Sequence, residues 1–200
     1  MEQPSLLLFD LGGVLIESSV FKQLSRLLPE QASPADLKER WLFSPVVRQF
    51  ELGKISPFEF AEDFVAEWGL DQSPEAFLEE FSSWPRDFFP GARQAILDWR
   101  KSYKVGCLSN SNPLHFGQFG DFEEIFDIAL FSHRLGAIKP DREIFLLALH
   151  ECGVEPSGIY YFDDSPANVQ AAQSLGMTAF CVEGFDSVQT VLLERGVLSE

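Results

Sequence analysis

Residues 159–182 read IYYFDDSPANVQAAQSLGMTAFCV, and the organisation of the chain can be built outward from them. The run Ile159 to Phe162 is short and apolar, as a buried strand should be. Ser165 to Leu175 then carries a helical pattern, with Ser165 and Pro166 placed as N-cap and first helical residue and Gly176 as the C-terminal stop. A second strand-like run follows from Thr178 to Val182. The same rhythm recurs upstream. Apolar runs at Ser5 to Phe9, Lys104 to Leu108 and Ile128 to Phe131 are bounded by Gly, Asp, Ser or Asn, and helical patterns span Gly91 to Lys101 and Asp141 to Cys152, the latter ended by Gly153. Five strands alternating with helices predict an α/β fold with a parallel, doubly wound sheet.

The region from Glu17 to Phe89 breaks that rhythm. It has no strand-like run, while Phe60, Phe64 and Trp68, and then Phe77, Phe81 and Trp84, recur at helical spacing. Pro29, Pro34, Pro45, Pro57 and Pro74 divide it into four or five helices. It reads as an all-helical insertion, 17–89, within a core formed by 1–16 and 90–200. The aromatic stripes are expected to pack on each other.

Composition narrows the function classes. Fifteen Lys and Arg against 31 Asp and Glu give 200 residues a net charge of −16, which repels nucleic acids and anionic membrane surfaces. A small anionic substrate remains compatible, because a bound cation and one placed Lys can reverse the local field. Cys107, Cys152 and Cys181 form no C-x-x-C pair, and no stretch approaches the ~18 apolar residues of a membrane span. A cytoplasmic location is expected, with monomer and homodimer both open.

Open parallel sheets bind ligands beyond the carboxyl ends of their strands. Asp10 follows the first run, where a carboxylate can attack phosphorus. Ser109 and Asn110 end the second, offering a hydroxyl, an amide and backbone N–H groups to a phosphoryl oxygen. Lys139 lies beyond the third, before Pro140 and Asp141 open a helix. Asp163 and Asp164 end the fourth; two adjacent carboxylates repel one another unless a cation joins them, and Mg²⁺ prefers such oxygen ligands. Singly, each of the first three is ordinary turn or surface chemistry.

Together, FDLGGVL, LSNSN, GAIKPDREIFLLAL and FDDSPANVQAAQSLGM, in that order, resemble the four motifs of the haloacid dehalogenase superfamily. The resemblance implies a Rossmann-like core and makes the inserted helices its cap. It implies a Mg²⁺-dependent phosphomonoester hydrolase acting on a small phosphorylated metabolite, such as a sugar phosphate, through an aspartyl phosphate. Asp10 becomes nucleophile and metal ligand, Ser109 and Asn110 bind phosphate, and Lys139 neutralises charge. Asp163, Asp164 and the Gly12 carbonyl complete the metal site, and Asn168 supports it.

One position departs from the pattern. Phosphatases of the family usually carry a second Asp two residues after the nucleophile, as general acid and base, and here that residue is Gly12. Such a group contributes about 10²–10⁴ in rate. A substrate with a good leaving group, such as a sugar 1-phosphate, or a relay through Glu17 or His115 would compensate. The competing readings are a phosphometabolite-binding regulatory protein with impaired turnover and a 2-haloacid dehalogenase. Retention of Asp10 and Lys139 disfavours the first, and the Asp163-Asp164 pair disfavours the second.

Overall fold

The computed structural model describes residues 3–28, 32–117 and 122–198; Pro29 lies outside them. Strand β1 (Leu6–Phe9) and the short β2 (Ile16–Ser18) lead into helices α1 (Val20–Leu27), α2 (Pro34–Phe43), α3 (Pro45–Glu51), α4 (Pro57–Trp68) and α5 (Pro74–Ser82), and β3 (Pro85–Phe88) returns the chain. Then follow α6 (Ala92–Trp99), β4 (Lys104–Ser109), α7 (Pro113–Phe116), β5 (Ile128–Phe131), α8 (Ser132–Leu135) and α9 (Arg142–Cys152). The chain closes with β6 (Ile159–Asp163), α10 (Pro166–Ser174), β7 (Thr178–Cys181) and α11 (Phe185–Glu194).

The main sheet has the order β5-β4-β1-β6-β7, with every neighbour parallel. Side-chain alternation along β1 explains why both faces are covered. Leu7 and Phe9 join one core with Ile96 and Trp99 of α6 and Val188 and Leu192 of α11. Leu6 and Leu8 join the other, with Ile144 and Phe145 of α9 and Val169 and Ala172 of α10. From β1 the chain steps outward to β4 and β5, then crosses back to β6. The strand order therefore reverses between β1 and β6, where open sheets form their ligand crevice.

Helices α2 to α5 each begin with a proline behind a serine. The serine hydroxyls of Ser33, Ser44, Ser56 and Ser73 accept from the N–H of Asp36, Val47, Glu59 and Ala76. Proline fits the first helical position because the N–H it lacks has no intrahelical partner there. The two aromatic stripes meet as expected: Phe64 stacks on Phe77 at 4.8 Å and Phe60 lies 5.2 Å from Phe81. All six rings are buried in this helical region's own core.

The expectation of no strand between 17 and 89 is corrected at its edges. Strands β2 and β3 pair antiparallel, with Ile16 opposite Phe88. The strands are three and four residues long, and Glu17 and Ser18 are exposed, so no apolar run marks the ribbon. Pairing across the insertion, rather than local preference, makes it. No helix among the described residues is long and apolar enough to cross a membrane.

Candidate active site

Asp10 stands at the end of β1, beside the reversal point, and its backbone N–H donates to Phe162 O of β6 at 2.8 Å. Its Oδ1 receives Leu11 N at 2.7 Å and Lys139 Nζ at 2.9 Å. Among the described residues Oδ2 has no protein donor. The turn that follows is closed by Ile16 N to Leu11 O at 2.8 Å and Gly13 N to Ile16 O at 2.9 Å. Among the described residues no backbone N–H donates to the Gly12 carbonyl. Gly13 has φ +78°, a backbone conformation that favours glycine, and a Cβ there would stand 2.8 Å from Asp164 Oδ2, so any larger residue would also displace that carboxylate. At Gly12 a Cβ would meet only Ser18 Cβ at 3.9 Å, so a side chain has room.

Lys139 is buried rather than solvated. Its ammonium donates to Asp10 Oδ1 at 2.9 Å, Asp163 Oδ2 at 2.8 Å and Leu108 O at 3.0 Å, which uses all three hydrogens. Asn110 aims it: Lys139 N donates to Asn110 Oδ1 at 2.9 Å, and Asn110 Nδ2 donates to Lys139 O at 3.1 Å. The amide expected to face phosphate thus holds the lysine backbone through its oxygen and one of its two Nδ2 hydrogens. Ser109 is buried at the end of β4, and its hydroxyl makes only a long 3.3 Å contact to Asn110 O.

The two adjacent acids differ. Asp163 is fully buried and accepts from Lys139, from Ser165 N at 2.8 Å, from Asn168 Nδ2 at 2.9 and 3.0 Å, and from the Tyr161 hydroxyl. Ser165 is the N-cap and Pro166 opens α10, as expected, but the serine hydroxyl makes no capping bond and its backbone N–H goes to Asp163. Asp164 is partly open, and its Oδ2 meets Lys38 Nζ of α2 at 2.6 Å.

Carboxylate oxygens of Asp10, Asp163 and Asp164 lie within 4.8 Å of one another. Burial pushes Asp10 up to about 7, because desolvation and the neighbouring acids outweigh the attraction of Lys139. Burial also opposes the charge on Lys139, but Asp10 and Asp163 more than offset it and hold the ammonium above its ordinary value. Three acids around two ammoniums, Lys139 and Lys38, leave negative charge uncompensated. An all-oxygen set of this kind fits a hard divalent cation such as Mg²⁺.

The model of the haloacid dehalogenase-like hydrolases matches residues 4–176. The chain belongs to this family. It is 26% identical over 184 residues to D-ribitol-5-phosphate phosphatase of Bacteroides thetaiotaomicron, a match covering 87% of this chain and 89% of that protein. It is 37% identical over 93 residues to a phosphorylated carbohydrates phosphatase of Thermotoga maritima, covering 44% and 43%. A haloacid dehalogenase family enzyme of B. thetaiotaomicron in a magnesium complex superposes with a TM-score of 0.74 at 25% identity, covering 91% and 94%. A haloacid dehalogenase-like hydrolase of Porphyromonas gingivalis gives 0.75 at 22% identity over the whole of both chains and supports the fold.

The structure brings six residues of this hydrolase expected at the site to the strand ends: Asp10, Ser109, Asn110, Lys139, Asp163 and Asp164. Gly12 and Asn168 flank them. The two residues considered as relays, each more readily an ordinary surface or packing residue, do not join them. Glu17 is exposed on β2. His115 is held neutral, burial pushing it down to about 4, and spends its ring nitrogens on Phe81 O at 2.9 Å and the Asn112 amide at 3.2 Å. Sequence reasoning missed Tyr161, Lys38 and Glu51. Tyr161 sits inside an apolar run and Lys38 on a polar helix face, so neither carries a local signal.

Proposed function

We propose that this hydrolase is a Mg²⁺-dependent phosphatase that cleaves phosphomonoesters of small carbohydrates through an aspartyl phosphate on Asp10. The observation that carries this reading is the asymmetry of that carboxylate, with both donors on Oδ1 and none on Oδ2. Lys139 and Leu11 N hold the group in place and leave Oδ2 to attack phosphorus. Ser109 and the N–H groups of the loop after β4 would receive phosphoryl oxygens, while Asn110 fixes Lys139 beside them. Mg²⁺ held by Asp10, Asp164 and the Gly12 carbonyl, with Asp163 behind them, would offset the charge of the phosphoryl oxygens. Asp163, saturated by protein donors, chiefly orients Lys139. A carbohydrate phosphate is supported by the specificity named for the two phosphatase relatives.

Phosphate release from p-nitrophenyl phosphate and a panel of sugar and sugar-alcohol phosphates tests the reading. Turnover is expected with Mg²⁺, absent with chelator, and absent in Asp10→Asn. Undiminished activity in that variant would sink the covalent mechanism. Chloride release from a 2-haloacid, in place of phosphate release, would move the attack to carbon.

A further inference from the structure

One ammonium of the helical insertion reaches the acid cluster at the strand ends. Lys38 of α2 donates to Asp164 Oδ2 at 2.6 Å, the two side chains being 43% and 24% exposed. Packing fixes the helix that carries it. Leu37 is buried in the insertion's own core, and Trp41 meets the rings of Phe21, Phe64, Trp68 and Phe81. The other cation of α2, Arg40, is spent within the insertion, donating to Glu67 O at 3.0 Å and lying 4.0 Å from the centre of the Trp68 ring. The oxygen held by Lys38 also stands against the turn after Asp10, since a Cβ on Gly13 would lie 2.8 Å from it. Seating of the insertion on the sheet rim does not depend on this ion pair. Ser132 Oγ donates to Glu51 O at 2.6 Å, Arg48 meets Asp141 at 2.6 Å, His115 Nε2 lies 2.9 Å from Phe81 O, and Leu114 packs into the insertion's core.

The three acids are therefore neutralised on different terms. Asp10 and Asp163 share Lys139, which is buried with all three hydrogens in use and cannot leave without stranding a charge. Asp164 is paired with a half-exposed side chain that water can replace, so the contact favours itself over the open form by only about 2–5-fold. Asp164 also supplies one of the carboxylate oxygens that gather within 4.8 Å of one another. An ammonium and a divalent cation repel, so one carboxylate cannot hold both as strongly as it holds either. Resting on the Mg²⁺ reading above, we propose that Lys38 is an internal competitor for the metal site, which holds Asp164 until Mg²⁺ binds there and is then released from it. Lys38 thereby sets the Mg²⁺ affinity of the site from the insertion, while the other contacts keep the insertion seated. The coupling is reciprocal: the factor by which the pair weakens Mg²⁺ binding is the factor by which Mg²⁺ raises the fraction of free Lys38.

Two measurements on the full chain, neither of them turnover, test this. Calorimetric titration of chelator-treated protein with Mg²⁺ should give a dissociation constant about 2–5-fold lower in Lys38→Gln than in the wild type. The stoichiometry of the titration counts the folded, competent sites, so partial misfolding is corrected for. In the wild type, acetylation of Lys38 followed by mass spectrometry should quicken by the same factor when Mg²⁺ saturates the site. Exposed Lys54 serves as the internal reference, with an unchanged rate. Asp164→Asn should label Lys38 at the quicker rate with and without Mg²⁺. An unchanged dissociation constant in Lys38→Gln would overturn the proposal. So would tighter binding in that variant with wild-type labelling indifferent to Mg²⁺, because Lys38 would then act through its field alone. Labelling in Asp164→Asn no quicker than in the metal-free wild type would show that the pair does not protect Lys38, and would overturn it too. Absence of Mg²⁺ uptake by the wild type, or uptake undiminished in Asp164→Asn, would instead overturn the metal reading itself.

Discussion

Across the crevice, the rim of the sheet and the face of the helical insertion hold their polar groups on different terms. On the rim, Lys139 uses every hydrogen and Asp163 accepts from four protein groups, with both side chains buried. On the insertion, Lys38 is 43% exposed and makes one contact, to Asp164, and Glu51 is buried with one neutral donor. The rim is therefore organised before any ligand arrives, which is how electrostatic stabilisation avoids reorganisation during reaction. The insertion holds its polar groups with single contacts, which a ligand can displace.

The sharpest way to break the contrast is Lys139→Met. It leaves Asp10 and Asp163 facing each other without their buried cation, so the fold should lose about 3–5 kcal/mol as well as its turnover. Urea denaturation at neutral pH reads the first, and a loss no larger than that of an exposed pair would contradict a saturated rim.

On the other side the sign reverses. Glu51 has a folded-state pKa of about 7 against an ordinary 4.5, so the folded state binds its proton more tightly than the unfolded chain. Wild-type stability from this group is fully present below pH 4.5, declines as pH rises, and is gone above pH 7. Glu51→Gln should therefore be more stable than wild type by on the order of 3 kcal/mol at pH 8 and indistinguishable at pH 4. Parallel unfolding curves at the two pH values check this, and a variant destabilised at pH 8 would refute it.

Gly13→Ala tests the turn between the two sides. The backbone cost of a left-handed residue is about 1–2 kcal/mol, and the added Cβ collides with Asp164. The Mg²⁺ concentration for half-maximal phosphate release should rise at least ~10-fold. The smallest effect is expected for Lys38→Ala, because a half-exposed pair contributes less than about 1 kcal/mol. Melting should barely move, while KM for a sugar phosphate changes more than kcat; the reverse pattern would place Lys38 in the chemical step.

Much of this was legible in the chain. Asp10, Ser109 and the acidic pair were found because each follows an apolar run, and a parallel sheet aligns such ends on one edge, whereas Lys139, beyond the third run, was found through the order of the motifs. Gly12 was recognised as a gap only through the resemblance to the family's first motif, where a second Asp usually stands. The β2–β3 ribbon, the Asn110 lock on Lys139 and the Tyr161 hydroxyl on Asp163 escaped notice. Each depends on segments distant in sequence or on one polar tip within an apolar side chain, and neither leaves a periodic trace.

Glu51 shows where the division falls. The sequence by itself determined the parallel α/β core, the helical insertion and the residues at the strand ends, because backbone periodicity and strand polarity are local properties. Only the tertiary structure decided that a glutamate at the end of a short helix, in FELG, is buried beside the rim. Burial, desolvation and the fields of Lys139 and Asp10 arise when separate segments pack together, and they turn an ordinary carboxylate into a group that can exchange a proton near neutral pH.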